Sequence, residues 1–282
     1  MGAAFVIALR EGIEAALIVS ILLAYLKQLG RSDASRLVWW GTGLAVLLSA
    51  ALGTAIFTVG ADFEGTSEQV FEGLVTLTAV GVLTWMIFWM RRQGARIKSD
   101  LQHKVDTALV AGGLALAALA FFAVLREGVE TALFLFAAAE GTAVEGGGIS
   151  AQLVGAVLGL GVAVVLGVLL YRGGIRMNLR TFFRVTGVIL IVVAAGLFAY
   201  SIHELQEAGW FPILEAHAFE LASLPDDEGV GAILRGLIGY NADPTVLEVV
   251  AWLSYLVVIG ALYLRPVTTI APRPVMADAA KR

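Results

Sequence analysis

Arg10, Glu11 and Glu14 stand inside one apolar run, and Arg126, Glu127 and Glu130 stand inside another, 116 positions later. The first motif reads REGIEAALIV from Arg10 to Val19, the second REGVETALFL from Arg126 to Leu135. On a helix, carboxylates three residues apart share a face, and an arginine four residues before a glutamate can pair with it. Gly12 and Gly128 leave space beside the acids for a second helix or an ion. If the two faces meet, four glutamates and two arginines line one cavity, formally −2, which favours a hard cation once water is stripped away. A charge at mid-membrane costs roughly 2.5–3.5 kcal/mol on insertion scales, so six cost about 15–20 kcal/mol. A chain that tolerates such a cost has a use for the charges.

The rest of the chain has the composition of a membrane protein. Of 282 residues, 59% are hydrophobic and 15% charged, with mean hydropathy +0.86; soluble domains run roughly 45–50% apolar and 25% charged. The absence of cysteine excludes disulfides and thiolate metal sites, and three histidines leave a metal to depend on oxygen ligands. Such ligands suit Ca²⁺, Mg²⁺, Mn²⁺ or Fe³⁺. The arginines argue against a permanent sink and for a site that binds and then releases. No G-x-x-x-x-G-K-[ST] loop is present, so direct ATP hydrolysis is not expected. The first apolar run carries three charges and lacks a basic lead-in, so it is expected to remain as a span and not be removed as a signal peptide.

The fold class expected is an all-α membrane protein with seven spans, at 3–26, 38–60, 69–90, 107–139, 151–171, 182–203 and 245–264. The fourth is longer than a bilayer needs and is expected to tilt. Sixteen of the 19 basic residues then fall on one side, which places the N-terminus outside and the C-terminus in the cytoplasm. Asp62, Glu64, Glu68, Glu140, Glu145 and most of 204–243 fall on the other, a surface that attracts cations. The motif-bearing spans cross in opposite directions, as in a 3+3 inverted repeat with one helix added. Gly41 and Gly53 match Gly155 and Gly167 at an offset of 114. Inverted repeats hold substrate near the midplane. The expected organisation is one permease domain, 1–268, with an outer acidic segment at 204–243, and a cytoplasmic tail, 269–282. Gly112, Gly113, Gly155, Gly159 and Gly161 are read as packing positions. Trp39, Trp40, Trp85 and Trp89 are read as an aromatic belt, and 230–240 as a stretch on or re-entering the membrane.

The residues leave other readings open. Arg10–Glu14 and Arg126–Glu130 could latch helices together. A di-iron enzyme would use Glu-x-x-His pairs, and no histidine lies near either motif. A proton-coupled carrier of Mn²⁺ or of an organic substrate also fits the charges. Glu72 is a candidate for the entry path. His203, Glu204, Glu207, Glu215, His217 and Glu220 either collect metal or form a solvated acidic loop; Asp226, Asp227 and Glu228 are read as solvated, and His103 as incidental.

Arg-Glu-Gly-x-Glu in the first and fourth of seven spans, with His203-Glu204 to Gly209-Trp210 after the sixth, resembles the oxidase-dependent iron permease family. That family includes the yeast high-affinity ferric permease and the bacterial Efe-type permeases, and the likeness covers nearly the whole chain. It implies a transporter and not an enzyme, importing Fe³⁺, or else Fe²⁺, across the plasma membrane, in bacteria the inner membrane. By the same likeness Glu11, Glu14, Glu127 and Glu130 bind iron in transit and Arg10 and Arg126 support them. Iron is then substrate, with no cofactor and no nucleic acid. With no extended soluble N-terminal domain in this chain, the resemblance implies a separate extracytoplasmic iron-binding protein, haem peroxidase or ferroxidase as partner.

Overall fold

The computed structural model describes residues 1–61, 63–93, 97–140, 148–172, 178–221, 223–226 and 229–265. Asp62, Glu145, Asp227, Glu228 and the expected tail at 269–282 lie outside these residues. The described residues are mostly helical; turns and irregular segments join the helices, and an isolated bridge links His217 to Thr245. In order it forms α1 (Gly2–Gln28), a 3₁₀ turn (Ser32–Ala34), α2 (Ser35–Ala61), α3 (Thr66–Gln93), α4 (Ile97–Ala111) and α5 (Gly113–Glu140). Then follow α6 (Gly148–Tyr171), α7 (Leu179–Glu207), α8 (Gly229–Ile238) and α9 (Val246–Leu264).

Among the described residues, five stretches are long and apolar enough to cross a bilayer: Ser32–Gly60, Thr66–Arg91, Ser150–Tyr171, Thr181–Glu207 and Val246–Leu264. α1 and α5 are comparable in length, at 27 and 28 residues, but each is interrupted by the charges of its motif. Leu44 and Leu47 of α2, and Val157 and Val164 of α6, are exposed, as befits helices facing lipid. The chain is a multi-pass membrane protein.

α1 packs chiefly on α6 and α5, α2 on α5, α3 on α7, and α7 on α9. Two dry clusters fix the direction of the central pair. Ala3 and Ile7 of α1 meet Phe134, Ala137 and Ala138 of α5 at one end. Leu22 and Leu26 of α1 meet Leu116 and Ala120 of α5 at the other. α1 and α5 are therefore antiparallel, and both charged motifs lie between the two clusters.

The expected fourth span, 107–139, is corrected: it is two helices, broken at Gly112, whose φ is +113°. L side chains rarely adopt that conformation and glycine adopts it freely. Upstream of the break, α4 buries Leu101, Val105 and Ala108 against Leu22, Leu26 and Val38. That spacing is a helical stripe, so part of what reads as a basic loop is a docked amphipathic helix. The segment at 204–243 also begins differently, because α7 continues to Glu207 and puts His203, Glu204 and Glu207 on its last turns. Within 230–240, α8 is ten residues long, about 15 Å at 1.5 Å per residue and too short to cross a ~30 Å hydrocarbon core.

α1 and α6 approach at backbone distance. A Cβ on Gly159 would meet the carbonyl of Phe5 and, at 2.9 Å, the amide nitrogen of Leu9, whereas a Cβ on Gly161 meets nothing within 4 Å. Gly159→Leu is expected to destabilise the protein by about 1–3 kcal/mol, the usual cost of overpacking, and Gly161→Leu to be silent. Thermal unfolding of both variants in detergent checks this; equal transitions would contradict the packing.

Candidate cation site

The motifs come together as their spacing demands. Arg10, Glu11 and Glu14 are 1%, 1% and 4% exposed, and Glu127 and Glu130 are 5% and 8%. Arg10 reaches Glu11 Oε1 at 2.8 Å through Nη1 and Glu14 Oε1 at 3.1 Å through Nη2. Its Nη1 also donates to Met86 Sδ at 3.0 Å. Arg126 Nε donates to Glu130 Oε1 at 2.8 Å. Among the described residues both arginines pair only with carboxylates of their own helix. The ion pairs therefore do not latch α1 to α5.

What crosses between the helices is a group of acids. One carboxylate oxygen from each of Glu11, Glu14 and Glu127 lies within 4.8 Å of the others, close enough to hold one metal ion. Glu130 stays beside Arg126 and is not part of this group. Glu11 Oε2, Glu127 Oε2 and Glu130 Oε2 are buried without a hydrogen-bond donor. A buried acceptor left unpaired costs about 1–3 kcal/mol, and more when charged. Two of these oxygens, on Glu11 and Glu127, belong to the group of three, and a cation there would supply the missing partner.

The two arginines differ. Arg10 is enclosed, while the Arg126 side chain is 35% exposed and lies 4.6 Å and 5.7 Å from the ring centres of Trp89 and Trp85. Those rings stack 6.1 Å apart. The two rings form a cation–π seat for a motif arginine, a role the belt reading did not include. Trp85 and Trp89 occur one helical turn apart, and only knowledge that α3 faces Arg126 reveals the seat.

A cavity of about 700 Å³ opens from the motif toward α4, lined by Glu14 and Glu127 at its head and by Asp100, His103 and Lys104 on α4. His103, read as incidental, faces this cavity. On the other side of the motif lies the dry cluster of Ile7, Leu83 and Phe134.

Of the candidates expected outside, Glu72 accepts from Tyr200 Oη at 2.5 Å, and Glu140 and Glu204 lie near enough to Glu72 to feel its charge. Glu140 is thus a third acid in the group, on the same helix as the second motif. His203 is engaged elsewhere: Nδ1 lies 3.0 Å from Glu248 Oε1 and Nε2 3.2 Å from Glu207 Oε1, tying α7 to α9. Glu207 also accepts from Gln69 at 2.8 Å. Glu248 closes a capping box with Thr245 at the start of α9; the T-x-x-E spacing there was the available signal. His217 pairs with Asp243 at 2.6 Å. Asp226 pairs with Arg235 at 2.9 Å.

These features define a class: a multi-pass membrane protein whose interior holds carboxylates with oxygens free for a cation. Known sequences specify it further. The chain matches the iron permease FTR1 family over residues 1–275 and belongs to that family, whose members are transporters. It is 43% identical over 257 residues to the ferrous iron permease EfeU of Escherichia coli O6:K15:H31, covering 90% of this chain and 91% of the relative. It is 39% identical over 266 residues to the EfeU of Yersinia pestis, covering 93% of each. An EfeU from Escherichia coli K12, also 43% identical over 257 residues, carries the word inactive in its name. Likeness alone therefore does not establish flux. No solved structure matches the chain.

Proposed function

We propose that this chain imports iron by passing the ion between α1 and α5, where Glu11, Glu14 and Glu127 replace its water and Glu130 holds Arg126 beside them. The observation that carries the reading is the group of three buried carboxylates from two helices, with spare oxygens and no donor to fill them. Arg10 and Arg126 hold the acids in place and offset their charge when no ion is bound, which keeps binding weak enough for release. The relatives' printed names favour Fe²⁺. The oxygen-only donor set keeps Fe³⁺ as a second reading.

The architecture we infer is a seven-span inverted repeat, α1–α3 matched to α5–α7 with α9 added and α4 and α8 as accessory helices. The chain is then one permease domain over 1–268 with a cytoplasmic tail at 269–282. Matched contacts support the repeat. Gly155 on α6 meets Met1 and Gly41 on α2 meets Ala117; Gly167 meets Ala16 and Gly53 meets Ala132; Gly12 meets Ala163 and Gly128 meets Ser49. Each pair is the same contact carried over by the 114 and 116 offsets. With the basic end in the cytoplasm of a bacterial inner membrane, Glu72, Glu140 and Glu204 face outward and gather iron from a separate extracytoplasmic iron-binding protein, peroxidase or ferroxidase. On this reading Glu72→Gln/Glu204→Gln raises the iron concentration for half-maximal uptake about tenfold, the lower end of what a focused field gives, and leaves the maximal rate unchanged. A lowered maximal rate at unchanged half-saturation would count against outer capture.

The test of the function is isotopic iron uptake into proteoliposomes, with iron kept ferrous by ascorbate or supplied as chelated Fe³⁺. Uptake of one oxidation state names the ion. Uptake of Mn²⁺ at an equal rate would favour a general divalent carrier, and uptake of neither oxidation state would refute import by this chain alone.

A further inference from the structure

We infer that Asp100 and His103 on α4 form the release station at the inner mouth of the iron path. The inference rests on the transport reading and adds the place where the ion leaves. Both residues line the same cavity as Glu14 and Glu127, about 700 Å³ in volume. Glu127 is 5% exposed and presents a buried carboxylate oxygen with no donor. An ion on the motif glutamates thus has continuous space leading to α4.

The walls of that space do not help a cation along. Between the two ends they are apolar, including Leu119 and Phe122 of α5. Positive charge borders that space, with Arg126 and Lys104 both on its lining. A cation leaving three carboxylates through an apolar passage toward positive charge needs a ligand to step onto. Asp100 and His103 supply a carboxylate oxygen and an imidazole nitrogen three residues apart, one turn on a helix face, and imidazole is a good ligand for iron. Lys104, beside them on the same cavity wall, keeps that stop shallow.

The position of α4 is built. Leu101 and Val105 are buried against α1 and α5, and Tyr25 donates to Asp106 at 2.9 Å and 3.1 Å, fixing α4 to the end of α1. The stripe at 101, 105 and 108 faces the cluster, and this turns 100, 103 and 104 toward the cavity. The helix thus presents the donor pair to the space that begins at Glu14 and Glu127.

The experiment uses the full chain in proteoliposomes, with iron supplied outside and the lumen corresponding to the cytoplasmic side. Asp100→Ala/His103→Ala is expected to lower maximal uptake at least about tenfold, as loss of a metal-orienting group does, with half-saturation by external iron unchanged. Citrate trapped in the lumen takes over the receiving role and restores the rate. His103→Glu, which keeps a ligand, retains most of the wild-type rate. Wild-type turnover in the double variant would overturn the release station, and so would a loss that neither lumenal citrate nor His103→Glu repairs, since that is a folding defect. Because the chain has no cysteine, Ala118→Cys on the cavity wall tests whether the passage is wet. Labelling by a water-soluble maleimide from the lumenal side is expected; labelling by a lipid-soluble reagent alone would make the cavity an acyl-chain crevice and overturn the proposal. A wild type that carries no iron, or a Glu11→Gln variant that carries it normally, removes the transport reading and the station with it, an outcome distinct from each of the others.

Discussion

Glu11→Gln and Glu127→Gln should each abolish iron uptake while the protein still reaches the membrane. The loss should exceed about a hundredfold, beyond the 10–100-fold typical of groups that only orient a ligand. The reason is geometric. Glu11 and Glu127 come from different helices, and each contributes an oxygen to the group within 4.8 Å. Glutamine keeps the shape, so packing around 1% and 5% exposed side chains is undisturbed, but an amide carries no charge to offset iron. Glu130→Gln should behave differently. Glu130 Oε1 is already held by Arg126 at 2.8 Å and stands outside the group of three, so this variant should keep measurable flux. Isotopic uptake, with protein quantified in isolated membranes, checks the series. Normal uptake in Glu11→Gln would take that residue out of the path, and equal loss in all three variants would mean that Glu130 works as closely with the ion as Glu11 and Glu127 do.

Replacing Arg10 should be the most damaging change to stability. Arg10 is 1% exposed and is the charge partner of both Glu11 and Glu14. Removing one member of a buried ion pair costs about 3–5 kcal/mol because the other charge stays behind, and Arg10→Met strands two carboxylates beside Glu127. Arg126→Met should cost less, about 1–2 kcal/mol, since its pair is partly solvated and part of its attachment is the tryptophan seat. Thermal unfolding in detergent checks the order. The same account requires that Mn²⁺ or Fe²⁺ stabilise Arg10→Met more than wild type, because a cation bound to the native state replaces the lost charge. Equal metal effects in the two proteins would mean that the carboxylates are not a cation site.

The two motifs were legible because helical spacing alone puts Glu11 with Glu14 and Arg10 with Glu14. Their meeting across α1 and α5 followed from the repeated pattern. What the chain concealed has physical causes. The break at Gly112 sits in an apolar stretch where the Gly112-Gly113 pair reads as packing residues, and only the positive φ of Gly112 shows that the helix ends there. α4 carries so many charges that its stripe of Leu101, Val105 and Ala108 is easily passed over, and with it the position of Asp100 and His103 on the cavity. Trp85 and Trp89 have the composition of a belt, and their role depends on Arg126, far away in sequence. His203 pairs with Glu248, 45 positions on, a contact that no local spacing reveals. Its neighbour Glu204 does join Glu72 and Glu140, so these acids were readable in type but not in grouping.

The most direct test of the central claim is an anomalous difference map at the iron edge from crystals of the purified protein soaked in ferrous iron. The account predicts one peak between α1 and α5, within ligand distance of Glu11, Glu14 and Glu127, that disappears in Glu11→Gln/Glu127→Gln. A peak found only among Glu72, Glu140 and Glu204, or one that survives the double substitution, would contradict it.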